Sequence, residues 1–576
     1  MKQAILKAFG ILPLKIKRLN GYENENYLVT AKDAQYIFKT YPSTKNIFSL
    51  INAECHALIH LQKKGGCKTP IPIPFISGEF VKTIDINNEA RCCRMLSFLP
   101  GNFLGDIKPE KPLMGNLGVF LADLNQKLDG FHSDAIRARN YEWDLQNLPL
   151  NRKHISAIHD PKQRRIVAYF FQKFDLLVAP CIPELRKAYI HSDFNEWNVL
   201  AEGDQALGLI DFGDMVYSPL INEVATALCY LSYDKDTFFD WTTPFLKAYH
   251  KIIPLKKKEV GLLYFLIATK LCISVCQSAR SRLSQPENKY ASVSEENAWK
   301  MLQKLLVINP ISVENHFMHA LGLGKDNTVD LTEKIKTRGR YFSRILSMSY
   351  KQPVYMSGAA FQYMYDGYGN TFLDAYNNIP HVGHSHPKVV AAGQKQMATL
   401  NTNTRYLYDL LLEYAEALLQ KLPKKLNKLF FVNSGSEASD LAIRMAQKHS
   451  GNKSIMVLEH GYHGHTQTGI DISEYKFNHP KGQGQKSHIL KTPIPKKYKG
   501  RYEGKNEPGV LYAKEAIEQL NNNENNIAAF IAEPIVGCGG QVPLASGYLK
   551  TLYPEIRKKG GLCISDEVQT GFGRLG

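Results

Sequence analysis

The chain has 576 residues, of which 44% are hydrophobic, 11% aromatic and 22% charged. The length predicts about four domain-sized pieces, or fewer if some are large α/β folds, and the composition excludes a collagenous, coiled-coil or mainly disordered chain. A net charge of +17 favours anionic ligands such as nucleotides and phosphate esters. The basic residues stand in short runs without the signature of a nucleic-acid-binding motif, so we expect no nucleic-acid partner.

The cysteines and the apolar segments predict a cytoplasmic protein. The ten cysteines are irregularly spaced, which is typical of reduced, buried thiols. The N-terminal segment 1–19 is interrupted by Lys7 and Lys15 and lacks a signal-peptide cleavage site. The most apolar later segment, Gly261 to Cys276, contains Lys270 and is too short for a membrane span; we expect a buried helix there and no membrane partner.

The first half of the chain combines β-like runs with helical patterns. The β-like runs are Tyr27 to Val29, Tyr36 to Lys39 and Arg94 to Phe98, and a helical pattern covers Ile51 to Lys63. Helical patterns then dominate to about Leu306, interrupted by a β-like stretch from Tyr189 to Phe212. We interpret the less hydrophobic passage 311–345 as a linker between domains at 1–310 and 346–576.

In the second half, short apolar strands alternate with amphipathic helices, which predicts a parallel sheet covered on both faces. The expected strands are 428–432, 454–458, 528–532 and 562–565, with helices at 437–449 and 548–559. Polar residues directly follow the strands, among them Glu533 and Asp566. Because ligands bind at the carboxyl ends of parallel strands, we expect these residues to converge on one site.

A first catalytic motif lies between Tyr189 and Gly213. Asp193 is followed after four residues by Asn198, and a predicted hairpin leads to Asp211-Phe212-Gly213. Phosphoryl transfer requires two oxygen ligands for Mg²⁺ and a carboxylate that accepts the proton of the substrate hydroxyl. Asp193 is the predicted base, and Asn198 and Asp211 are the predicted metal ligands.

Upstream residues complete this pattern. Lys39 at the end of a strand would contact the nucleotide phosphates, oriented by Glu54 in the following helix. The segment Asn20 to Asn24 occupies the position of a phosphate-covering loop, although it has a single glycine. Taken singly, these residues are also compatible with turns and surface pairs; the ordered set favours an ATP-dependent kinase.

These residues resemble the aminoglycoside phosphotransferase and choline kinase-like family, and within it the hydroxylysine and ethanolamine kinase-like members. The resemblance covers about Leu19 to Pro310, including Leu96 to Gly101 and Ile210 to Pro219. It implies an α+β, protein-kinase-like bilobal domain that phosphorylates a small molecule. The family most often has glycine at the position of Ser192.

A second motif begins with Ser434-Gly435-Ser436, between a predicted strand and a helix, where backbone N–H groups and the helix terminus suit a phosphate anion. Gly461 to Gly464 follows the next strand, and Ser565 to Arg574 follows the last. An aromatic ring that stacks on a cofactor and a buried aspartate that keeps a pyridine nitrogen protonated are the requirements of pyridoxal phosphate.

These motifs closely resemble the class III aminotransferase family of fold type I, and best its ethanolamine-phosphate and phosphohydroxylysine phospho-lyases. The resemblance extends from about Arg344 to Gly576, with supporting runs at 377–387 and 400–407. It implies an α/β fold type I transferase large domain. The cofactor-binding residues carried over from the family are Ser434, Gly435, Ser436, Tyr462, His463, Glu533, Asp566 and Gln569. For His463 and Glu533, a purely structural polar role is the alternative.

The family resemblance also raises an expectation about completeness. In the family, the Schiff-base lysine lies a few dozen residues beyond the segment around Asp566, and this sequence stops at Gly576. We therefore expect a C-terminally truncated, incomplete cofactor domain that binds the cofactor only noncovalently and whose lyase chemistry is essentially lost. The resemblance further implies a homodimer in the full-length protein, with Asn403 to Tyr406 reaching the partner.

Together the two halves predict a bifunctional enzyme. The kinase would phosphorylate an amino alcohol with ATP and Mg²⁺, and the pyridoxal phosphate half would eliminate phosphate and ammonia from the product. One alternative is a transaminase fused to a kinase of unrelated substrate. Another is that the second half is an inactive binding or scaffold module.

Overall fold

The computed structural model describes residues 1–19, 24–65, 68–86, 88–233, 235, 237–284, 295–324, 330–377, 379–523 and 526–575. The chain folds into two compact units. The first comprises Met1–Ala375 and Val382–Thr399, and the second Tyr376–His381 and Leu400–Gly576. Each unit has its own apolar core.

The first unit begins with a six-stranded antiparallel sheet. Its strands are Lys15–Leu19, Glu25–Thr30, Gln35–Pro42, Pro72–Ile73, Lys82–Ile86 and Glu89–Ser97. The predicted β-like runs are confirmed, although Lys39 lies inside its strand and not at its end. Lys39 is paired in register with Arg94 on the neighbouring strand. The helices Lys2–Phe9 and Lys45–Lys64 accompany the sheet, and the second confirms the helical pattern predicted from Ile51.

Helices form most of the first unit after the sheet. They are Lys111–Lys127, Asp134–Arg137, Pro161–Lys173, Leu220–Leu231, Phe238–Ile252, Lys257–Ser284, Glu295–Val307, Pro310–Ala320, Leu331–Tyr341 and Pro387–Thr399, with short 3₁₀ or π segments at Leu104–Asp106, Leu145–Ala157, Phe174–Val178, Ala179–Glu184 and Phe212–Asp214. By length and apolarity alone, Pro161–Glu184 and Lys257–Ser284 could cross a membrane, and the apolar window of the second is 83% buried inside the unit. Leu263, Ile267 and Leu271 of that helix are fully buried, which confirms the predicted core helix.

Two small sheets carry the first catalytic motif. Val199–Glu202 pairs antiparallel with Gln205–Leu209 and with Asn102–Phe103, and Lys187–Ile190 pairs with Val216–Pro219. The predicted hairpin is therefore confirmed. The antiparallel ladder places Asn198 and Asp211 at the same end of the hairpin, where the Ile210 N–H donates to the Asn198 carbonyl at 2.9 Å.

The first unit continues past the predicted domain boundary. Its later strands are Met356–Ala360, Tyr363–Asp366 and Thr371–Leu373. Val313 and Phe317 in the helix Pro310–Ala320 are buried in the core, and the Tyr365 hydroxyl donates to the Leu306 carbonyl at 2.6 Å. Compact units need not coincide with domains, so the division into 1–310, 311–345 and 346–576 stays a prediction.

The second unit contains a parallel four-stranded sheet in the order Ile489–Thr492, Ser454–Leu458, Ile527–Ala532, Leu562–Ser565. Its helices are Asp409–Leu419, Gly435–Ser450, Gln467–Asp471, Glu474–Phe477, Pro508–Asn521 and Tyr548–Lys558, and the short strands Ile535–Val536 and Val542–Pro543 pair with each other. The strands predicted at 454–458, 528–532 and 562–565 and the two predicted helices are confirmed.

The strand predicted at 428–432 is wrong. Residues 426–432 have no regular secondary structure, and Phe430, Phe431 and Val432 are 64%, 46% and 40% exposed. A strand requires ladder hydrogen bonds to a neighbour, and none of the described strands pairs with this segment. The apolar pattern alone therefore misled the prediction.

Candidate active sites

The first site centres on the Asp193 carboxylate in the loop after the strand Lys187–Ile190. The side-chain amides of Asn195 and Asn198 both donate to Asp193 Oδ2 at 2.8 Å. The Asp193 side chain remains 20% exposed. The carboxylate is thus held in one orientation and is still open to a substrate hydroxyl, as a general base requires.

The backbone before Asp193 is strained and pinned. Ser192 has a φ of 68°, the left-handed region that glycine adopts most easily. Its N–H donates to Glu223 Oε2 at 2.7 Å, and Glu223 is fully buried. Burial raises the pKa of Glu223 to about 7. The serine in place of the family's usual glycine therefore keeps the glycine-like loop geometry with the help of a buried carboxylate.

The predicted metal ligands lie beside the base. Asn198 contacts Asp193, and Asp211 follows the neighbouring strand with a side chain 46% exposed. Lys39 Nζ donates to Asp211 Oδ1 at 2.9 Å and lowers the pKa of Asp211 to about 2. An ionised carboxylate and an amide oxygen are ligands that Mg²⁺ accepts. The structure thus forms two contacting pairs, Asp193 with Asn198 and Lys39 with Asp211. The backbone hydrogen bond from Ile210 to Asn198 holds the two pairs at the same end of the hairpin.

Glu54 does not pair with Lys39 as expected. Its Oε2 lies 2.7 Å from Arg94 Nη2, and both side chains are buried, at 7% and 1% exposure. Burial raises the pKa of Glu54, and the neighbouring Arg94 opposes that rise. Since a buried guanidinium needs a counter-charge, Arg94 takes the Glu54 carboxylate, while Lys39 pairs with Asp211. Residues 20–23 of the predicted phosphate-covering loop lie outside the described residues.

The sequence motifs did not predict several other charged residues at this site. Asp214 accepts a hydrogen bond from the Tyr141 hydroxyl at 2.6 Å, and burial raises its pKa. Lys270 Nζ lies 3.5 Å from Asp193 Oδ1. A charge inside an apolar helical run is the sequence signal that could have identified Lys270 and Glu223. No such signal in the sequence marks Arg94.

The second site begins at the helix Gly435–Ser450. Ser434 caps this helix, with its Oγ accepting from the Glu437 N–H at 3.1 Å. Ser436 Oγ accepts from the His465 N–H at 3.2 Å. A Cβ at Gly435 would lie 2.7 Å from Val568 Cγ2, so only glycine fits without moving Val568. The helix N-terminus is thereby joined to the segment after the last strand, and its N–H groups suit a phosphate.

Asp566 and His463 form a buried pair in this site. Asp566 Oδ2 lies 2.7 Å from His463 Nδ1, and the two side chains are 7% and 0% exposed. The His463 N–H donates to Ser473 Oγ at 2.7 Å, which fixes the histidine backbone. His463 Nε2 has no hydrogen-bond partner among the described residues. A buried, oriented aspartate is the group that holds a protonated pyridine nitrogen.

Glu533 connects the remaining predicted residues. Its Oε1 accepts from the Tyr462 N–H and its Oε2 from the Gly537 N–H, both at 3.2 Å. Burial raises the pKa of Glu533. A Cβ at Gly537 would lie 3.3 Å from Glu533 Oε2 and 3.5 Å from the Gln569 amide, so the two side chains approach the same point. This donor set, with an aromatic ring, a buried aspartate and a helix N-terminus, fits pyridoxal phosphate.

Comparison with known proteins finds one family match in each half of the chain. Residues 15–255 match the family model described as "Phosphotransferase enzyme family", and residues 347–576 match "Aminotransferase class-III". The chain is 42% identical over 265 residues to "Alanine--glyoxylate aminotransferase 2-like" of Drosophila melanogaster, covering 44% of this chain and 53% of the relative. It is also 42% identical to "Ethanolamine-phosphate phospho-lyase homolog 1" of Caenorhabditis elegans, covering 39% and 50%.

One solved structure is similar in sequence to the second half of the chain. A phospholyase from Arthrobacter, in complex with phosphoethanolamine, is 34% identical with a TM-score of 0.38, covering 42% of this chain and 57% of the other. The chain spans about half the length of the curated relatives that it matches. The family matches confirm the predicted architecture, a kinase-like domain followed by an aminotransferase-like domain of the pyridoxal phosphate class.

Proposed function

We propose that this chain is part of a bifunctional cytoplasmic enzyme. It carries a match to the phosphotransferase family followed by a match to the class-III aminotransferases. The first half phosphorylates a small amino alcohol, of the hydroxylysine or ethanolamine type, with ATP and Mg²⁺. The second half eliminates phosphate and ammonia from the phosphate ester, using pyridoxal phosphate.

The two pairs Asp193–Asn198 and Asp211–Lys39, held at one end of the hairpin, carry the kinase proposal. Asp193, held by two amides, accepts the proton of the substrate hydroxyl. Asn198 and Asp211 hold Mg²⁺, and Lys39 lies beside Asp211, where the phosphates of a bound nucleotide would meet its ammonium. Glu54, in the helix Lys45–Lys64, supports this group indirectly, because it neutralises Arg94, the residue in register with Lys39 on the neighbouring strand.

The buried Asp566–His463 pair carries the proposal for the second half. Pyridoxal phosphate, when bound, supplies an electron-accepting ring that acidifies the carbon bearing the amine. Ser434, Gly435 and Ser436 hold its phosphate, Tyr462 packs on its ring and Gln569 approaches the ring hydroxyl. Asp566, oriented by His463, keeps the proton on the ring nitrogen, and Glu533 holds the Tyr462 backbone.

The two reactions are complementary. Phosphorylation turns a hydroxyl into a good leaving group, and elimination then breaks the carbon–oxygen bond to phosphate. The carbon–nitrogen bond is broken with uptake of one water, which leaves an aldehyde or ketone, ammonia and phosphate. The reaction requires the amine and the phosphorylated oxygen on adjacent carbons. Similarity to a phospho-lyase homologue supports this assignment.

A transaminase fused to the kinase is the second candidate. It is supported by the relative named alanine–glyoxylate aminotransferase 2-like, which is equally identical to this chain. Transamination consumes a keto acid, whereas elimination needs none, so dependence of product formation on a keto acid separates the two.

The variant Asp193→Asn tests the kinase step. It preserves the shape of the base and removes its ability to take a proton, so we expect ADP formation from amino alcohols to fall by about 10²- to 10⁴-fold. Asp204→Asn, in the exposed turn of the same motif, is the matched control and should retain full activity. Unchanged ADP formation in Asp193→Asn would show that Asp193 is not the catalytic base.

A further inference from the structure

Lys270 is a fully buried lysine on the core helix Lys257–Ser284. Its side chain has 0% exposure, although most of the other buried residues of its helix are apolar. Removing an ammonium ion from water costs several kcal/mol unless counter-charges and acceptors surround it. The groups that compensate this charge therefore show what the lysine does.

The polar partners of Lys270 belong to the Asp193 loop of the first candidate active site. Its Nζ lies 3.5 Å from Asp193 Oδ1 and 3.4 Å from the Ser192 carbonyl oxygen, to which it donates. The same ammonium lies 5.3 Å from the ring centroid of Trp143 and 5.6 Å from that of Tyr230. Aromatic faces stabilise a desolvated cation. Trp143 and Tyr230 thus form the apolar side of a socket whose polar side is the Asp193 loop.

Lys270 contacts the carboxylate oxygen of Asp193 that Asn195 and Asn198 do not. The amides of Asn195 and Asn198 both donate to Asp193 Oδ2, whereas the described contact of Oδ1 is with Lys270. Lys270 and Glu223 also hold the strained residue Ser192 from two directions, through its carbonyl and its N–H. Both carboxylate oxygens and the preceding peptide are thereby fixed.

We propose that Lys270 is a positioning residue of the phosphotransfer site, where its buried ammonium holds the Asp193 carboxylate and the Ser192 peptide in the geometry for accepting the substrate proton. Lys270 itself exchanges no proton. This inference depends on the proposed function in assigning Asp193 as the base. It predicts that loss of the ammonium reduces the rate of the chemical step and leaves nucleotide binding intact.

The test compares Lys270→Met, of similar length and without charge, with Thr269→Val, a conservative change at the adjacent buried position. We expect Lys270→Met to lower kcat for ADP formation by about 100-fold, as for a misplaced catalytic group. Its KM for ATP should stay within about threefold of wild type, since only uniform binding changes KM alone. Thr269→Val should match wild type. If Lys270→Met does not fold, Lys270→Gln, which keeps a donor without charge, carries the same expectation.

Two results would overturn the inference: a kcat within about threefold of the Thr269→Val value, or a raised KM for ATP with kcat unchanged. Hydrogen exchange separates this inference from the proposed function. If wild-type protein makes no ADP from any amino alcohol, the proposed function fails, but the amides of residues 192–195 should still exchange faster in Lys270→Met than in Thr269→Val. Equal exchange would contradict the role of Lys270 independently of activity.

Discussion

Glu223 is buried beneath the Asp193 loop with a pKa raised from its ordinary 4.5 to about 7 by burial. Folding therefore favours its protonated form, and its contribution to stability is fully present below pH 4.5 and is lost as the pH rises through about 7. A pKa shift of this size corresponds to about 3 kcal/mol of unfolding free energy. The N–H of the strained residue Ser192 nevertheless requires an acceptor at this position, and the Glu223 carboxylate supplies it.

The variant Glu223→Gln removes this titration and keeps an acceptor oxygen. Between about pH 5 and pH 8, we expect the wild type to lose about 3 kcal/mol of unfolding free energy relative to the variant. Urea unfolding followed by tryptophan fluorescence measures this, because all four tryptophans lie in the first unit. Parallel pH dependence of the two proteins would contradict the raised pKa.

The Arg94–Glu54 ion pair gives a second prediction at the residue scale. Arg94→Met leaves the Glu54 carboxylate buried without its counter-charge, so we expect the unfolding free energy of the first unit to fall by about 3–5 kcal/mol. The double variant Arg94→Met, Glu54→Met replaces the pair with apolar side chains and should recover most of the loss. Tryptophan-detected urea unfolding compares them; a single variant as stable as the double one would show that the pair carries no such coupling.

At the scale of elements, the parallel sheet of the second unit positions its site. Strands 454–458 and 562–565 end where their apolar runs end, so the polar residues after them meet at one edge. Local patterns could therefore predict these strands and the convergence of Glu533 and Asp566, whereas Tyr462 came from the family resemblance alone. They could not predict 428–432 correctly, because strand formation there depends on a neighbour that the local pattern does not contain.

The same limit applies to the contacts of the first site. The motif spacing predicts Asp193, Asn198 and Asp211, since all three lie within one hairpin and its flanks. The partners of Glu54 and Lys39 depend on Arg94, which comes from another strand, and Lys270 reaches the loop from a helix 78 residues away. Such pairings are set by three-dimensional packing, which spacing along the chain does not encode.

The Asp566–His463 pair gives a prediction at this scale. Asp566→Asn removes the charge proposed to hold the proton on the ring nitrogen, and hydrogen bonds to charged groups contribute about 1.5–3 kcal/mol. We therefore expect the affinity for pyridoxal phosphate to fall by about 10- to 100-fold, measured by absorbance titration of the cofactor. Glu567→Gln, at the exposed neighbouring carboxylate, is the control. Equal affinities of the two variants would contradict the role of Asp566.

At the scale of the whole molecule, exposed apolar side chains support the proposed homodimer. In the second unit, Leu407 is 91% exposed, Ile379 85% and Phe430 64%. Contiguous exposed apolar surface marks an interaction site, and Leu407 directly follows the segment Asn403 to Tyr406, which the family resemblance implies reaches the partner. A net charge of +17 is consistent with the anionic ligands of both proposed reactions, ATP, pyridoxal phosphate and the phosphate ester.

The proposed function couples phosphorylation and elimination on one amino alcohol, and the stoichiometry of the products measures this coupling. The full-length protein is incubated with Mg·ATP, pyridoxal phosphate and a panel of amino alcohols that includes ethanolamine and 5-hydroxylysine, and ADP, phosphate and ammonia are measured over time. We expect one amino alcohol to give ADP, phosphate and ammonia in equal amounts without any keto acid. ADP without ammonia, or ammonia that appears only when a keto acid is added, would contradict the proposed series of phosphorylation and elimination.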